Sequence, residues 1–164
     1  MMARVRTRRR TAARLAAVQA LYQSEQTGET AESVIEQFVR HRFGFSAGAG
    51  GYEEGHVPEA EVALFSRIVR ASASGQSERE ALLAAALPAD WPVARLDPVL
   101  RALLRAAMAE FAMPDGPPAK VVINEYVDVA HGFFGSVEPR LVNAVLDRLS
   151  RMLRPGELPA AALG

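Results

Sequence analysis

Arginine residues are concentrated at the beginning of the chain, at Arg4, Arg6, Arg8, Arg9, Arg10 and Arg14. The first 24 residues carry these six arginines and no acidic residue, whereas the remaining 140 residues carry 13 basic and 19 acidic residues. A guanidinium presents a planar fork of donors that matches phosphate oxygens, and it can also stack on a base. The arginine cluster therefore predicts a nucleic-acid-binding surface, and the alternative is a charged end that only keeps the chain soluble.

The sequence carries no recognisable catalytic or metal-binding motif. Cysteine is absent, which excludes disulfides, thiolate ligands and a cysteine nucleophile. His41, His56 and His131 lie on different predicted elements, and no His-Glu-x-x-His motif occurs. Glu125 and Asp128 are three residues apart, a spacing that is typical of a solvated helix face. The sequence therefore predicts a binding protein rather than an enzyme, without a metal or cofactor.

The recognition motifs that do not occur in the sequence help to indicate which kind of nucleic acid is bound. No helix-turn-helix, zinc finger or zipper pattern indicates duplex DNA, and no RRM or KH signature occurs. A basic segment with an accessible aromatic side chain suits single-stranded RNA, because bases stack while phosphates follow the cations. Arg10 and Arg14 lie one helical turn apart and are expected to contact neighbouring phosphates, with the earlier arginines reaching from a flexible tail. Tyr22 is a candidate for base stacking, and a place in the core is its alternative.

Composition indicates one globular protein with a core. Of the 164 residues, 49% are hydrophobic, which is ordinary for a folded domain. No apolar run approaches the roughly 18 residues of a membrane span, and no secretory signal is present. A cytoplasmic protein without a membrane partner is expected.

Hydrophobic periodicity predicts helices almost throughout the chain. Asp97 followed by Pro98 is typical of a helix start, and Ser77 with Glu80 predicts a capping box on the fourth helix. A glycine-rich loop is expected at 44–57. We predict an all-α bundle of seven helices in two subdomains, residues 1–75 with the arginine cluster and residues 76–164. The predicted helices lie near 11–26, 30–41, 58–72, 77–87, 98–111, 118–134 and 136–152.

Several segments, taken in order, resemble the NusB family of bacterial transcription antitermination factors. Arg8-Arg9-Arg10 leading into AVQALY (17–22) is similar to the opening of that family. The three closing helices of the family are matched by VLRALLRAAMAEF (99–111), PPAKVVINEYVDVAHGFFG (117–135) and RLVNAVLDRL (140–149).

The resemblance implies a fold, a ligand and partners. The fold is all-α with seven helices in two subdomains, and the ligand is the single-stranded boxA element of ribosomal RNA leader transcripts. The partner is NusE, which doubles as a small-subunit ribosomal protein, and the pair joins NusA, NusG and RNA polymerase to suppress termination.

The resemblance also implies roles for individual residues. Leu141 stands where relatives often have Phe, which removes base stacking there. Asn124, Glu125 and Asn143 are expected to be buried and to bond helix ends. For NusE, we expect the exposed faces of helices four to six, including Arg101 and Arg105. The RNA-binding residues are expected to be Arg8, Arg9, Arg10, Arg14, Tyr22, Lys120 and Arg140.

Two other functions remain open at this point. A NusB-like domain also precedes the catalytic domain of an rRNA cytosine methyltransferase, although no glycine-containing strand–helix unit for S-adenosylmethionine is present in these 164 residues. Alternatively, the chain is a helical protein–protein adaptor whose arginines are incidental.

Overall fold

The computed structural model of the protein describes residues 2–44 and 59–159, and every regular element in those ranges is helical. The predicted all-α fold class is therefore confirmed, while the glycine-rich segment lies outside the described residues from residue 45 to residue 58. The chain divides into two compact units, which are unit 1 (Met1–Ser74) and unit 2 (Gly75–Gly164). The α-helices of the described ranges are α1 (Met2–Thr27), α2 (Ala31–Phe38), α3 (Glu59–Ser74), α4 (Gln76–Ala86), α5 (Pro98–Phe111), α6 (Ala119–Phe133) and α7 (Val137–Leu153).

Helix α1 starts much earlier than the sequence pattern predicts. It begins at Met2 rather than near Thr11, so the arginines belong to the helix and do not form a flexible tail. The segment contains no glycine or proline before Gly28, and arginine and alanine both favour helix. The hydrophobic pattern starts only with the residues that pack on the core, so it did not extend the predicted helix back to Met2.

The core of unit 1 depends on an alanine-rich face of α1. Helix α1 contacts both α2 and α3, and its most buried positions are small. The larger apolar side chains Leu15 and Leu21 of α1 are only partly buried. Phe38 of α2 stacks on Phe65 of α3 with ring centroids 5.5 Å apart, and both rings are buried. The alanines of this face are Ala13, Ala16, Ala17 and Ala20.

A polar joint closes the turn between α1 and α2. Gly28 ends α1 with a φ of 76°, a left-handed conformation that glycine adopts without strain. The Glu29 carboxylate accepts hydrogen bonds from the amides of Gln37 and Gln23 and from the Ser33 hydroxyl. These donors, with Gln37 the largest contributor, hold the pKa of Glu29 below its usual value. The joint therefore depends on the charged form of this side chain.

Helix α5 belongs to the core of unit 2, where it contacts α4, α6 and α7. All its residues from 106 to 111 are buried, which is the pattern of a helix surrounded by other helices. The buried carboxylate of Glu110 accepts a hydrogen bond of 2.5 Å from the Tyr126 hydroxyl of α6. That bond satisfies a polar group which would otherwise be costly to bury.

Of the two helix caps predicted in unit 2, the structure confirms the one on α5 and contradicts the one on α4. Asp97 caps α5 as expected, because its side-chain oxygen accepts from the backbone N–H groups of Val99 at 2.8 Å and Leu100 at 3.4 Å. The capping box predicted at Ser77 is wrong, because α4 begins at Gln76 and Gly75 is its N-cap. The valine-rich start of the 117–135 segment is helical, as favoured by its spacing.

Acid is expected to weaken unit 1 through Glu29. Because the pKa of Glu29 is lowered in the folded state, its contribution is present above the unfolded pKa and is lost as pH falls through the folded pKa, below the ordinary glutamate value of 4.5. The Glu29→Gln variant is expected to show a weaker loss of thermal stability over this range, measured by circular dichroism. Glu36 is an exposed acid on α2 and serves as the control. If Glu36→Gln reduces the acid-induced loss of thermal stability as much as Glu29→Gln does, the assignment to Glu29 is contradicted.

Candidate nucleic-acid interface

The first part of the candidate interface is the exposed arginine pair of α1. Arg9 and Arg10 are both exposed on this helix. Arg8 also lies in α1, but its side chain is outside the described residues. No acidic residue precedes Glu25 on the same helix, so the sequence of α1 supplies no carboxylate to neutralise the pair locally. This surface can donate several hydrogen bonds to phosphate oxygens.

Arg14 does not belong to this exposed pair. Only 2% of its surface is accessible, so the expectation that Arg10 and Arg14 contact neighbouring phosphates is wrong for this structure. The reason is helical spacing: Ala17 and Val18 follow Arg14 by three and four residues, and both are fully buried. Arg14 therefore lies in the stripe that packs inside unit 1. The same spacing is visible in the sequence and could have revealed its burial.

Tyr22 is accessible on α1, with 38% of its surface exposed. Its position therefore agrees with the stacking interpretation and not with the core alternative. It lies 12 residues after Arg10, a distance of about 18 Å along the helix and a rotation of about 120°. Tyr22 and the arginine pair are consequently separate features of one helix and do not form a single cluster.

Two of the predicted RNA-binding residues, Lys120 and Arg140, lie in unit 2 and are exposed. Lys120 is exposed in the first turn of α6, and Arg140 is exposed in the first turn of α7. Helices α6 and α7 pack against each other within this unit. The sequence analysis did not single out Arg148, which is exposed eight residues after Arg140 and donates to the Ala86 carbonyl oxygen at 3.0 Å. A spacing of eight residues rotates it by about 80° from Arg140 around the helix, so the two side chains lie on adjacent faces.

The asparagines of the two closing motifs are exposed, contrary to expectation. Asn124 lies four residues after Lys120 and shares its solvent face, and Asn143 is exposed on α7. Glu125 is partly buried. Leu141 is 8% exposed and packs inside unit 2, so this position offers no stacking surface.

Arg101 and Arg105 are not on the exposed surface that was expected to meet a partner protein. Arg101 donates to the carbonyl oxygens of Val93 at 3.1 Å and Leu96 at 3.2 Å, which fixes the turn before α5. The side chain of Arg105 is 19% exposed and forms an ion pair of 2.6 Å with Glu80 of α4. Both guanidiniums are therefore used within unit 2, and the expectation that they are exposed is wrong.

Within residues 2–44 and 59–159, no group of three or more histidine or acidic side chains is arranged to hold a metal ion. Over the same part of the chain, none of the helices has the length and apolar character needed to cross a membrane.

Comparisons with known proteins agree with each other. The model of the NusB family matches residues 11–151. A protein named Transcription antitermination protein NusB from Granulibacter bethesdensis is 62% identical over 152 residues, covering 93% of each chain. One of the same name from Gluconobacter oxydans is 51% identical over 151 residues, covering 92% of each chain.

Solved structures of NusB proteins share the fold. The structure of NusB from T. maritima has a TM-score of 0.68 at 26% identity, covering 87% of this chain and 90% of that chain. The solution structure of NusB from Aquifex aeolicus has the same TM-score at 19% identity, covering 94% and 97% respectively, which bears on the fold alone.

Two arginines one turn apart on α1 are expected to behave differently when truncated. Arg14→Ala removes a buried side chain and is expected to lower the free energy of unfolding by about 1–3 kcal/mol. Arg10→Ala alters an exposed position and should change the same free energy by less than about 0.5 kcal/mol. Urea unfolding followed by circular dichroism measures both. Equal effects of the two substitutions would show that Arg14 is not an internal residue.

Proposed function

The chain belongs to the NusB family, and we propose on that premise that it is a transcription antitermination factor which binds the single-stranded boxA element of ribosomal RNA leader transcripts. The observation that carries the proposal is the exposed pair Arg9 and Arg10 on a helix without nearby acids in its sequence. An RNA strand has a phosphate at every nucleotide, so paired guanidiniums suit it better than they suit an uncharged ligand.

The binding mechanism is electrostatic capture followed by local contacts. Arg9 and Arg10, with the preceding Arg8, attract the RNA backbone, and Tyr22 provides an exposed ring for one base. Lys120 and Arg140 of unit 2 supply further phosphate contacts, and Arg14 supports α1 from inside. The protein acts in the cytoplasm as a binding protein, without catalysis.

The proposed partner is NusE, and the pair then joins NusA, NusG and RNA polymerase so that the polymerase passes terminators. Arg101 and Arg105 are better explained as supports for the α5 surface than as direct NusE contacts, because their donors already bond within unit 2. We therefore propose that NusE recognition involves other exposed positions of α4 to α6.

The RNA proposal is tested with the Arg9→Ala/Arg10→Ala variant. It is expected to bind an RNA oligonucleotide containing boxA at least about tenfold more weakly than the parent protein, because two charge-assisted contacts are lost. The slope of log affinity against log salt should become less steep by about 1.4, at roughly 0.7 per lost phosphate contact. Filter binding over a series of salt concentrations measures both quantities, and thermal unfolding should be almost unchanged.

A matched variant controls for net charge. Arg40→Ala/Arg95→Ala removes two exposed arginines elsewhere and should leave boxA affinity within about twofold, with the salt slope unchanged. An RNA of the same bases in scrambled order controls for sequence. If both double variants lose the same affinity, the exposed pair on α1 is not the RNA-binding surface.

The partner proposal is tested by gel mobility shift with and without NusE. Addition of NusE is expected to tighten boxA binding by about tenfold or more, because two linked proteins contact one strand. Binding of NusE without any RNA shift would instead favour the adaptor function.

A further inference from the structure

The sequence Arg154-Pro155-Gly156-Glu157 follows α7 and forms a tight turn. The proposed RNA and partner binding assigns no role to these residues. The Glu157 backbone N–H donates to the Arg154 carbonyl oxygen at 3.3 Å, and Gly156 has a φ of 85°. Proline at the second position and a glycine of positive φ at the third are the requirements of a type II turn. The turn brings the Arg154 and Glu157 side chains within 3.4 Å of each other.

The Arg154 guanidinium is tied to the end of α5 and to the loop after it. It donates to the carbonyl oxygens of Glu110 and Phe111, both at 3.0 Å, and to that of Pro117 at 2.5 Å. It also lies 5.8 Å from the centre of the Phe111 ring. Its side chain is only 14% exposed. Carbonyl groups at a helix end lack partners within the helix, so a buried cation stabilises them strongly.

The Glu157 carboxylate caps the start of α6. The N-cap residue of α6 is Pro118, which offers no side-chain hydrogen bond. The Ala119 backbone N–H instead donates to Glu157 at 2.5 Å. A carboxylate at a helix N-terminus satisfies a free donor and interacts favourably with the helix dipole.

We propose that Arg154 and Glu157 are positioning residues for Lys120, because they fix the first turn of α6 on which this exposed lysine stands. The inference rests on the proposed RNA-binding function. Lys120 directly follows the capped residue Ala119. The small Ala119 and Val122 are the buried side chains of this first turn, whereas the larger Ile123 and Tyr126 are buried further along α6. Loss of the cap therefore loosens the first turn and leaves the core of unit 2 in place, since helix ends fray before their centres.

The first test follows the α6 start directly, without RNA. In Glu157→Ala, hydrogen exchange at the amides of Ala119 and Val122 is expected to accelerate by about fivefold, the effect of a lost cap. The Val122 amide reports on this turn because it donates to the Pro118 carbonyl oxygen at 3.1 Å. Glu157→Gln retains an acceptor oxygen and should restore most of the protection. Unchanged exchange in Glu157→Ala would overturn the inference.

The second test is a double-mutant cycle on the affinity for the boxA oligonucleotide. Lys120→Ala and Glu157→Ala are each expected to weaken binding by about three- to fivefold. The Lys120→Ala/Glu157→Ala double variant should bind RNA no more weakly than Lys120→Ala alone, because the cap acts through this lysine. Glu157→Ala combined with Arg10→Ala should instead give the product of the two single effects. Glu157→Gln should bind like the parent protein.

The outcomes separate the inference from the proposed function. Two outcomes overturn the positioning role and leave the proposed function intact. In the first, the Lys120→Ala/Glu157→Ala variant loses RNA affinity by the product of the two single effects. In the second, Glu157→Ala keeps full RNA affinity although Lys120→Ala binds more weakly. If the parent protein does not distinguish boxA from the scrambled RNA, the proposed function fails, and the exchange experiment still decides whether Glu157 fixes the α6 start.

Discussion

The structure depends on one constraint, which is that α1 has to pack inside unit 1 on one side and carry cations on the others. Alanines at the buried positions let α1 approach α3 closely, and they leave the exposed positions to arginine. A helix fixes the angle between consecutive side chains at about 100°, so the two faces cannot mix. Arg9 and Arg10 are thereby presented on a rigid support rather than on a tail, which limits the entropy that a bound strand would remove.

Three arginines of unit 2 have a different role from the exposed Arg9 and Arg10 of α1. Arg101, Arg105 and Arg154 are at least partly buried, and they bond backbone carbonyl groups or an acid around α5. Helix α5 is apolar on nearly all sides and cannot supply polar partners for the loops at its ends. Arginine can reach those loops because its long stem packs on apolar surface while five donors remain at the tip.

Arginine in this chain therefore has two roles that composition does not separate. In the sequence, Arg10 and Arg14 differ only by their place on the helix. In the structure, Arg10 is exposed, whereas Arg14 is buried with 2% of its surface accessible. In the proposed function, the exposed arginines bind RNA while Arg14 stabilises the helix that carries them. Under that proposal, two arginines one helical turn apart serve RNA affinity and stability respectively.

The sequence by itself determined the family, the all-α class and local features such as the Asp97 cap, because helical periodicity and capping depend on residues close together in the chain. It also predicted Arg9, Arg10, Lys120 and Arg140 as RNA-binding residues, and all four are exposed in the structure. It did not give the burial of Arg14, the engagement of Arg101 and Arg105, or the cap that Glu157 provides 38 residues away from Ala119. Only the tertiary structure decided these, because a side chain's partner is set by which helices pack together, and that is a property of distant segments.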